Sequence, residues 1–206
     1  ILLAIITIIF GVIFGVLLAL MRISNNPVLK AISATYVEFI RGTPIMVQLF
    51  IVYYGLSKMG IRFPEIPVLG SNFSDLMAGA IALSINSAAY VAEIIRAGIQ
   101  AVDKGQMEAA RSLGLNYSMS MKAVVLPQAI KNILPALGNE FIAIIKESSI
   151  VSIIGIHELM YNTDTVRGNT FRPFEPLIIT AIVYFIITFT LSNIVRAFER
   201  RLETSD

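Results

Sequence analysis

Three polar side chains in the third of five long apolar stretches are spaced to share one face of a helix, and a fourth follows close behind them. Asn86, Tyr90 and Glu93 follow one another at intervals of four and three residues, which places them on the same side of an α-helix. Arg96 comes three residues after Glu93 and can pair with it. One interpretation is a ligand-binding stripe, in which Glu93 takes an amino group, Arg96 takes a carboxylate, and Asn86 and Tyr90 orient the ligand. The alternative is a Glu–Arg pair that neutralises itself near the membrane interface.

The fourth apolar stretch carries a second polar group. Glu140 and Glu147 are seven residues apart and share a face, and Ser148 and Ser149 follow directly. We expect Glu147 and the two serines to line a path through the protein. The alternative is that Lys146 and Glu147 pair across an interface between two copies, while the serines bond back to the preceding turn. For Glu140 we favour a structural role.

The second stretch contains a helix-bending residue beside two polar side chains. Pro44 removes a backbone hydrogen bond and predicts a bend. Thr43 and Gln48 can satisfy the freed backbone groups or face the path.

In the first stretch, Gly11 and Gly15 form a GxxxG pattern that indicates close packing with another helix.

The sequence offers no catalytic centre. It has no Cys, no Gly-Lys pair of a phosphate-binding loop and no Gly-x-Ser-x-Gly elbow. His157 and Glu158 begin like a zinc motif, but Tyr161 stands where the second His would be. We therefore expect neither an enzyme nor a bound metal or cofactor in this chain.

Composition indicates that these stretches lie in a lipid bilayer. Of 206 residues, 56% are hydrophobic and 15% charged, whereas soluble domains carry about 25% charged residues. The mean hydropathy is +0.76. The net charge of +2 is too small to indicate nucleic-acid binding. The chain begins at Ile1 without Met, so we expect natural residues before it.

Five segments are long and apolar enough to cross a bilayer, which takes about 20 residues. We expect one all-α membrane domain over residues 1–206, with residues 99–131 as the longest polar loop. The links at 23–33, 58–75 and 157–175 are predicted to be turns and loops. The predicted spans are about 1–22, 34–57, 76–98, 132–156 and 176–195.

The distribution of Lys and Arg predicts the orientation of the spans. With the N-terminus outside, 11 of the 16 basic residues fall on the cytosolic side. Four fall outside (Lys58, Arg62, Arg167 and Arg172), and Lys146 lies within a span. The 99–131 loop and the C-terminus are thus predicted to be cytosolic.

That cytosolic loop contains a short helical segment with small residues. Glu108, Ala109 and Ala110 favour a helix, which Gly114 then ends. Asn116 and Ser118 can cap the next helix, and the Leu126-Pro127 pair marks a new turn before the fourth span. A short helix outside the membrane whose small residues permit close approach is typical of a docking element.

These positions resemble a known signature. Glu108-Ala109-Ala110, then Gly114, then Val124, then Leu126-Pro127 resembles the EAA motif of membrane subunits of ATP-binding-cassette (ABC) importers, which usually have Ile at the Val124 position. The segments 41–44, 90–96 and 146–150 (RGTP, YVAEIIR and KESSI) resemble the polar amino-acid permeases of that family. The resemblance extends over nearly the whole chain.

The resemblance implies a type I ABC importer-like fold with five transmembrane helices and a cytosolic coupling helix. It implies a homodimer or heterodimer with a second permease subunit. Two cytosolic ATPase subunits would bind ATP and Mg²⁺ and receive the coupling helices. An extracytoplasmic binding protein would deliver the amino acid.

We therefore expect a permease subunit of an ATP-driven amino-acid importer that works by alternating access. Carboxylates at Glu93 and Glu147 favour a basic amino acid if Arg96 and Lys146 are engaged elsewhere, with glutamine as the next choice. One alternative is a secondary transporter or channel driven by an ion gradient. The other is an intramembrane enzyme, for which no catalytic residues are found.

Overall fold

The computed structural model describes residues 1–61 and 73–203. Arg62 and most of the predicted 58–75 loop lie outside these residues. Every regular element in the described part is helical, as the sequence predicts. The α-helices are α1 (Leu2–Ile23), α2 (Pro27–Arg41), α3 (Ile45–Lys58), α4 (Phe73–Gln100), α5 (Lys104–Ser112), α6 (Tyr117–Ser120), α7 (Leu126–Glu147), α8 (Leu159–Thr170) and α9 (Glu175–Glu203), with a π-helical turn at Met121–Val125 and a 3₁₀ segment at Ser148–Ile154.

Helix α4 is the centre of the bundle, and α1 packs against it through glycines. A Cβ atom on Gly11 would lie 2.5 Å from Ser87 Oγ, and one on Gly15 would lie 2.5 Å from Val91 Cγ1. The GxxxG prediction is therefore confirmed, with α4 as the partner. Further along α4, Gly98 packs against Ile133 of α7. Small residues thus let α1 and α7 approach α4 closely.

The predicted second span, 34–57, is broken into two helices, and the bend expected at Pro44 is confirmed. The chain forms α2 and α3, whose axes differ by 106°. Pro44 lacks the N–H that would continue the helix, and Gly42 ends α2 by donating to Glu38 O at 2.8 Å. The predicted 23–33 turn is also too long, because Asn26 Oδ1 accepts a hydrogen bond from Val28 N at 2.9 Å and caps α2 at Pro27.

Two further predicted boundaries need correction. The fourth span was expected at 132–156, but α7 runs from Leu126 to Glu147 and gives way to the 3₁₀ segment. The expected 157–175 loop contains α8. Glu158 starts α8 because its carboxylate accepts hydrogen bonds from Met160 N and Tyr161 N, at 2.8 and 2.7 Å.

Three described helices are long and apolar enough to cross a membrane: α1, α4 and α9. The bent α2–α3 pair raises the number to four if it counts as one span. Helix α7 carries Lys131, Glu140, Lys146 and Glu147. A total of five spans stays a prediction.

The α1–α4 packing yields a stability test. In Gly15→Ala, the new Cβ would meet Val91 Cγ1 at 2.5 Å and the Ala88 carbonyl at 3.0 Å, so the helices must separate. We expect the free energy of unfolding to fall by about 1–3 kcal/mol. Thermal unfolding in detergent, followed by circular dichroism, measures this.

The matched control is Gly55→Ala in α3, where an added Cβ meets nothing within 4 Å. Since alanine favours a helix over glycine by about 1 kcal/mol, this variant should be unchanged or slightly more stable. Equal losses in both variants would contradict the role of close α1–α4 packing.

Candidate functional site

A buried polar junction closes the break between α2 and α3. Gln48 Nε2 donates to Ile40 O at 2.7 Å and to Thr43 Oγ1 at 2.8 Å. Gln48 Oε1 accepts from Asn86 Nδ2 of α4 at 2.9 Å. Both amide side chains are nearly inaccessible, with 6% and 5% of their surface exposed. The structure therefore brings these two predicted site residues together, and their hydrogen bonds satisfy the freed backbone and join α3 to α4.

Two to three helical turns beyond Asn86 along α4 lies a charged cluster. Arg96 Nε donates to Glu93 Oε2 at 2.8 Å, and Arg96 Nη2 bonds Glu93 Oε1, so the pair is bidentate. Arg96 Nη1 bonds the side chain of Gln100. The intrahelical pair that the sequence allowed is thus present. With Arg96 engaged in this way, its charge is largely matched by Glu93.

Arg41 also belongs to this cluster, although it was not among the predicted site residues. Its Nη1 lies 4.0 Å from Glu93 Oε1, and its guanidinium lies 5.5 Å from the centre of the Tyr90 ring. The cation–π distance is within the usual 6 Å. The available signal was the position of Arg41 at the end of α2, directly before the Gly42-Thr43-Pro44 break. Tyr90 is partly exposed beside it.

A carboxylate lies between α4 and α7. Ser87 Oγ donates to Glu140 Oε1 at 3.4 Å, next to the close contact of Gly11 with Ser87. Glu140 therefore joins the two central helices, as expected of a structural residue. Because Ser87 and Glu140 are in contact, they lie at the same depth in the bundle. The depths of other residues on α4 and α7 can be compared from this pair.

The second predicted polar group lies at the end of α7. Glu147 is the last residue of that helix and is exposed. Ser148 Oγ donates to Ile145 O at 2.8 Å, so this serine bonds back to the preceding turn. Ser149 is half-buried in the 3₁₀ segment, and its carbonyl accepts from Ser152 Oγ at 2.8 Å.

The two predicted groups lie at different depths. Gly98 faces Ile133 while Ser87 faces Glu140, so α4 and α7 run antiparallel. Glu93 lies beyond Ser87 in one direction, and Glu147 lies beyond Glu140 in the other. At ~1.5 Å per residue the groups are roughly 20 Å apart along the helix axes. The structure does not bring them together within one chain.

The predicted docking segment is a capped helix. Asp103 Oδ1 accepts from Gly105 N and caps α5. At the other end, Leu115 N donates to Ala110 O at 3.2 Å and Gly114 N donates to Arg111 O at 3.0 Å. This pair of bonds is a Schellman motif, and Gly114 has the left-handed φ of +88° that it requires. The predicted role of Gly114 in ending the helix is confirmed.

Most of α5 is exposed and one residue anchors it. Ala110 is buried, whereas Glu108 and Ala109 are exposed. Leu113, which was not among the predicted site residues, has 85% of its surface exposed. Its place directly before Gly114 was the available signal. The exposed surface combines small, charged and apolar side chains.

The chain after α5 continues as one helical path into α7. Asn116 Oδ1 caps α6 by accepting from Met119 N at 2.9 Å, as predicted. Leu126-Pro127 does not mark a new turn, because Leu126 N donates back to Met121 O and the helix widens into a π turn. This widening lets the helix pass a residue without an N–H. Gln128 Nε2 also donates to Gln106 Oε1 at 3.2 Å, which ties α5 to the start of α7.

His157 stacks on Tyr161, with ring centres 4.2 Å apart. Within residues 1–61 and 73–203, no group of three or more His, Cys, Asp or Glu residues could hold a metal ion.

Comparison with known proteins shows similarity over nearly the whole chain. The chain is 44% identical over 202 residues to a Rickettsia bellii protein that is named as a glutamine transport system permease protein. The match covers 98% of this chain and 88% of that protein. It is 44% identical over 198 residues to the arginine transport system permease protein ArtQ of Bacillus subtilis, covering 96% and 86% of the two chains.

Solved structures share the fold. An amino acid ABC transporter crystallised with histidines has a chain that is 51% identical, with a TM-score of 0.88 over 97% of this chain and 88% of that one. An inward-facing structure of the MetNI methionine ABC transporter, at 18% identity and a TM-score of 0.72 over 98% and 89% of the two chains, shares the fold alone. The family model of binding-protein-dependent transport system inner membrane components matches residues 11–204, so the chain belongs to that family.

Proposed function

We propose that, in this permease subunit of an amino-acid ABC importer, α5 is the helix through which a separate ATPase drives transport. The observation that supports this most directly is the form of α5. It is capped at both ends, fixed by Ala110 and Gln106, and otherwise exposed. The ion-gradient-driven alternative requires no such element, and the relatives are permeases of ABC-type systems.

The proposed assembly contains two permease subunits, identical or different, and two cytosolic ATPases. The ATPases would bind ATP and Mg²⁺, and a binding protein would deliver the substrate from outside. The orientation that we propose has the N-terminus outside and α5 and the C-terminus in the cytosol. It is supported by the excess of basic residues on that side.

The proposed mechanism is alternating access. Closure of the ATPases on ATP would draw the two α5 helices together. Because α5 is tied to α7 by Gln106 and Gln128 and is joined to it by the 113–116 link, α6 and the π turn, movement of α5 would tilt α7. ATP and the loaded binding protein would each have to bind one state more tightly than the other for transport to be coupled.

We propose different roles for the predicted substrate residues. Tyr90, Glu93, Glu147 and Ser149 remain candidates for contact with the amino acid. Gln48, Asn86, Arg96 and Ser148 act as positioning residues, since their hydrogen bonds go to groups within the chain. The names of the relatives support arginine or glutamine as the substrate.

Replacement of Gly114 tests the docking role. In Gly114→Val a β-branched residue must adopt φ +88°, which disfavours the motif that ends α5. We expect ATP-driven uptake by the reconstituted transporter to fall at least about tenfold with normal membrane insertion. Radiolabelled amino-acid uptake and ATPase activity are measured together.

Gly60→Val is the matched control, because Gly60 also has a positive φ of +71° with nothing within 4 Å of its Cβ position. It lies after α3, on the side that we propose is outside. Full coupled transport by Gly114→Val, or an equal loss in Gly60→Val, would contradict the docking role.

Leu113 offers a direct test of contact with the ATPase. If Leu113 is buried against the ATPase, a carboxylate in its place would lose its water without gaining a partner, which is unfavourable. We expect Leu113→Asp to weaken ATPase association by about tenfold or more, as measured by co-purification from detergent at graded ATPase concentration. Met59→Asp, at a residue with 74% of its surface exposed after α3, is the control and should bind normally.

Uptake kinetics separate substrate contact from positioning at the two carboxylates. If Glu147 or Glu93 binds a cationic side chain, its change to Gln should raise the KM for arginine about tenfold, because one charge-assisted hydrogen bond is lost. The KM for glutamine should stay unchanged.

Equal effects on both amino acids would instead assign the residue to positioning, as the Glu93–Arg96 pair allows. Glu175→Gln, at the exposed start of α9, is the control.

A further inference from the structure

A basic cavity lies beside the turn between α1 and α2. Its volume is about 620 Å³, and it is lined by the end of α1, the first turns of α2 and the end of α4. Arg22, Lys30 and Arg96 all line it, and its lining contains no carboxylate. The cavity therefore presents a concentrated positive charge.

Neither Arg22 nor Lys30 forms a salt bridge within the described part of the chain, although the Glu93 carboxylate is near enough to Arg22 to interact with its charge. Arg96 is engaged with Glu93 and Gln100. By contrast, Arg22 Nη1 is buried without a hydrogen-bond partner among the described residues, and Lys30 is exposed in the first turn of α2. A buried guanidinium N–H without an acceptor is unfavourable, so an anion beside Arg22 would stabilise this region.

A second, apolar cavity adjoins the first. Its volume is about 500 Å³, and it lies between α1, α4 and the start of α7. Lys122 is the charged residue of its lining, which otherwise consists mostly of aliphatic side chains. Ile23 lines both cavities, so both reach the end of α1 and lie on the two sides of this one side chain.

The length of the apolar cavity matches one leaflet of a bilayer. Along α1 its lining extends from Val12 to Ile23, which is roughly 16 Å at the helical rise per residue. Half of the ~30 Å hydrocarbon core is about 15 Å. A hydrocarbon chain in this cavity would thus reach from the charged end of α1 to the middle of the membrane.

We propose that the two cavities together bind one anionic phospholipid of the bilayer. Its phosphate lies at Arg22 and Lys30, and one acyl chain passes Ile23 and lies along α1 in the apolar cavity. A soluble anion would use the basic cavity alone, whereas a lipid accounts for both cavities and for their position on the two sides of Ile23. Bound in this way, the lipid braces the α1–α2 turn next to the Glu93–Arg96 pair.

Lipid retention by the assembled transporter tests this site without any transport step. The complex is purified in mild detergent, mixed with phosphatidylglycerol or phosphatidylcholine, and examined by native mass spectrometry. Removing two cations in Arg22→Gln/Lys30→Gln should lower phosphatidylglycerol retention about tenfold to thirtyfold. The charge-conserving Arg22→Lys/Lys30→Arg variant should retain it, and Lys58→Gln, at the exposed end of α3, should match the parent protein.

Two further measurements distinguish binding of a lipid from binding of a soluble anion, and a third check excludes misfolded variants. Val16→Trp fills the apolar cavity and should lower lipid retention severalfold with both cations present. Excess glycerol phosphate should fail to displace the lipid. Equal phosphatidylglycerol retention in the parent and in Arg22→Gln/Lys30→Gln, no preference over phosphatidylcholine, or displacement by glycerol phosphate would each overturn the proposal. Circular dichroism verifies that every variant is folded.

Discussion

Close packing around α4 is the constraint on which the rest of the structure depends. Lipid supplies little hydrophobic drive for helix association, so membrane helices associate through van der Waals contact and interhelical hydrogen bonds. Helix α4 meets both requirements. Its alanines and serines admit Gly11 and Gly15 of α1, and its Gly98 admits Ile133 of α7. A side chain of ordinary size at these contacts would move α1 or α7 outward and separate the polar groups that they hold together.

The polar residues of the bundle each bond to a backbone or charged group that would otherwise lack a partner. Gln48 and Asn86 satisfy the backbone at the α2–α3 break, where a bent helix would otherwise expose carbonyl groups. Glu93 lies between Arg96 and Arg41, which reduces the free energy required to keep a carboxylate in this environment. The polar groups therefore stabilise an irregular backbone as well as offering candidate contacts for a substrate.

The route from α5 into the bundle is short and mostly helical. Helix α5 is capped at both ends, and after the link at residues 113–116 the chain is helical through α6, the π turn and α7 up to Glu147. Glu140 on that path contacts Ser87 of α4, next to the α1 contact. A displacement of α5 can thus reach the centre of the bundle through one short link and then along continuous helix, which suits an element moved by a separate subunit.

The sequence alone determined the features that depend on neighbours along the chain. The apolar runs, the end of α5 at Gly114, the cap at Asn116 and the Glu93–Arg96 pair all follow from spacings of a few residues, where helical geometry fixes the outcome. Tertiary structure decided the rest. The contacts of Gln48 with Asn86, Arg41 with Glu93 and Ser87 with Glu140 join residues about 40 to 50 positions apart. The 106° bend and the depth separating Glu93 from Glu147 depend on how helices cross, which local spacing does not specify.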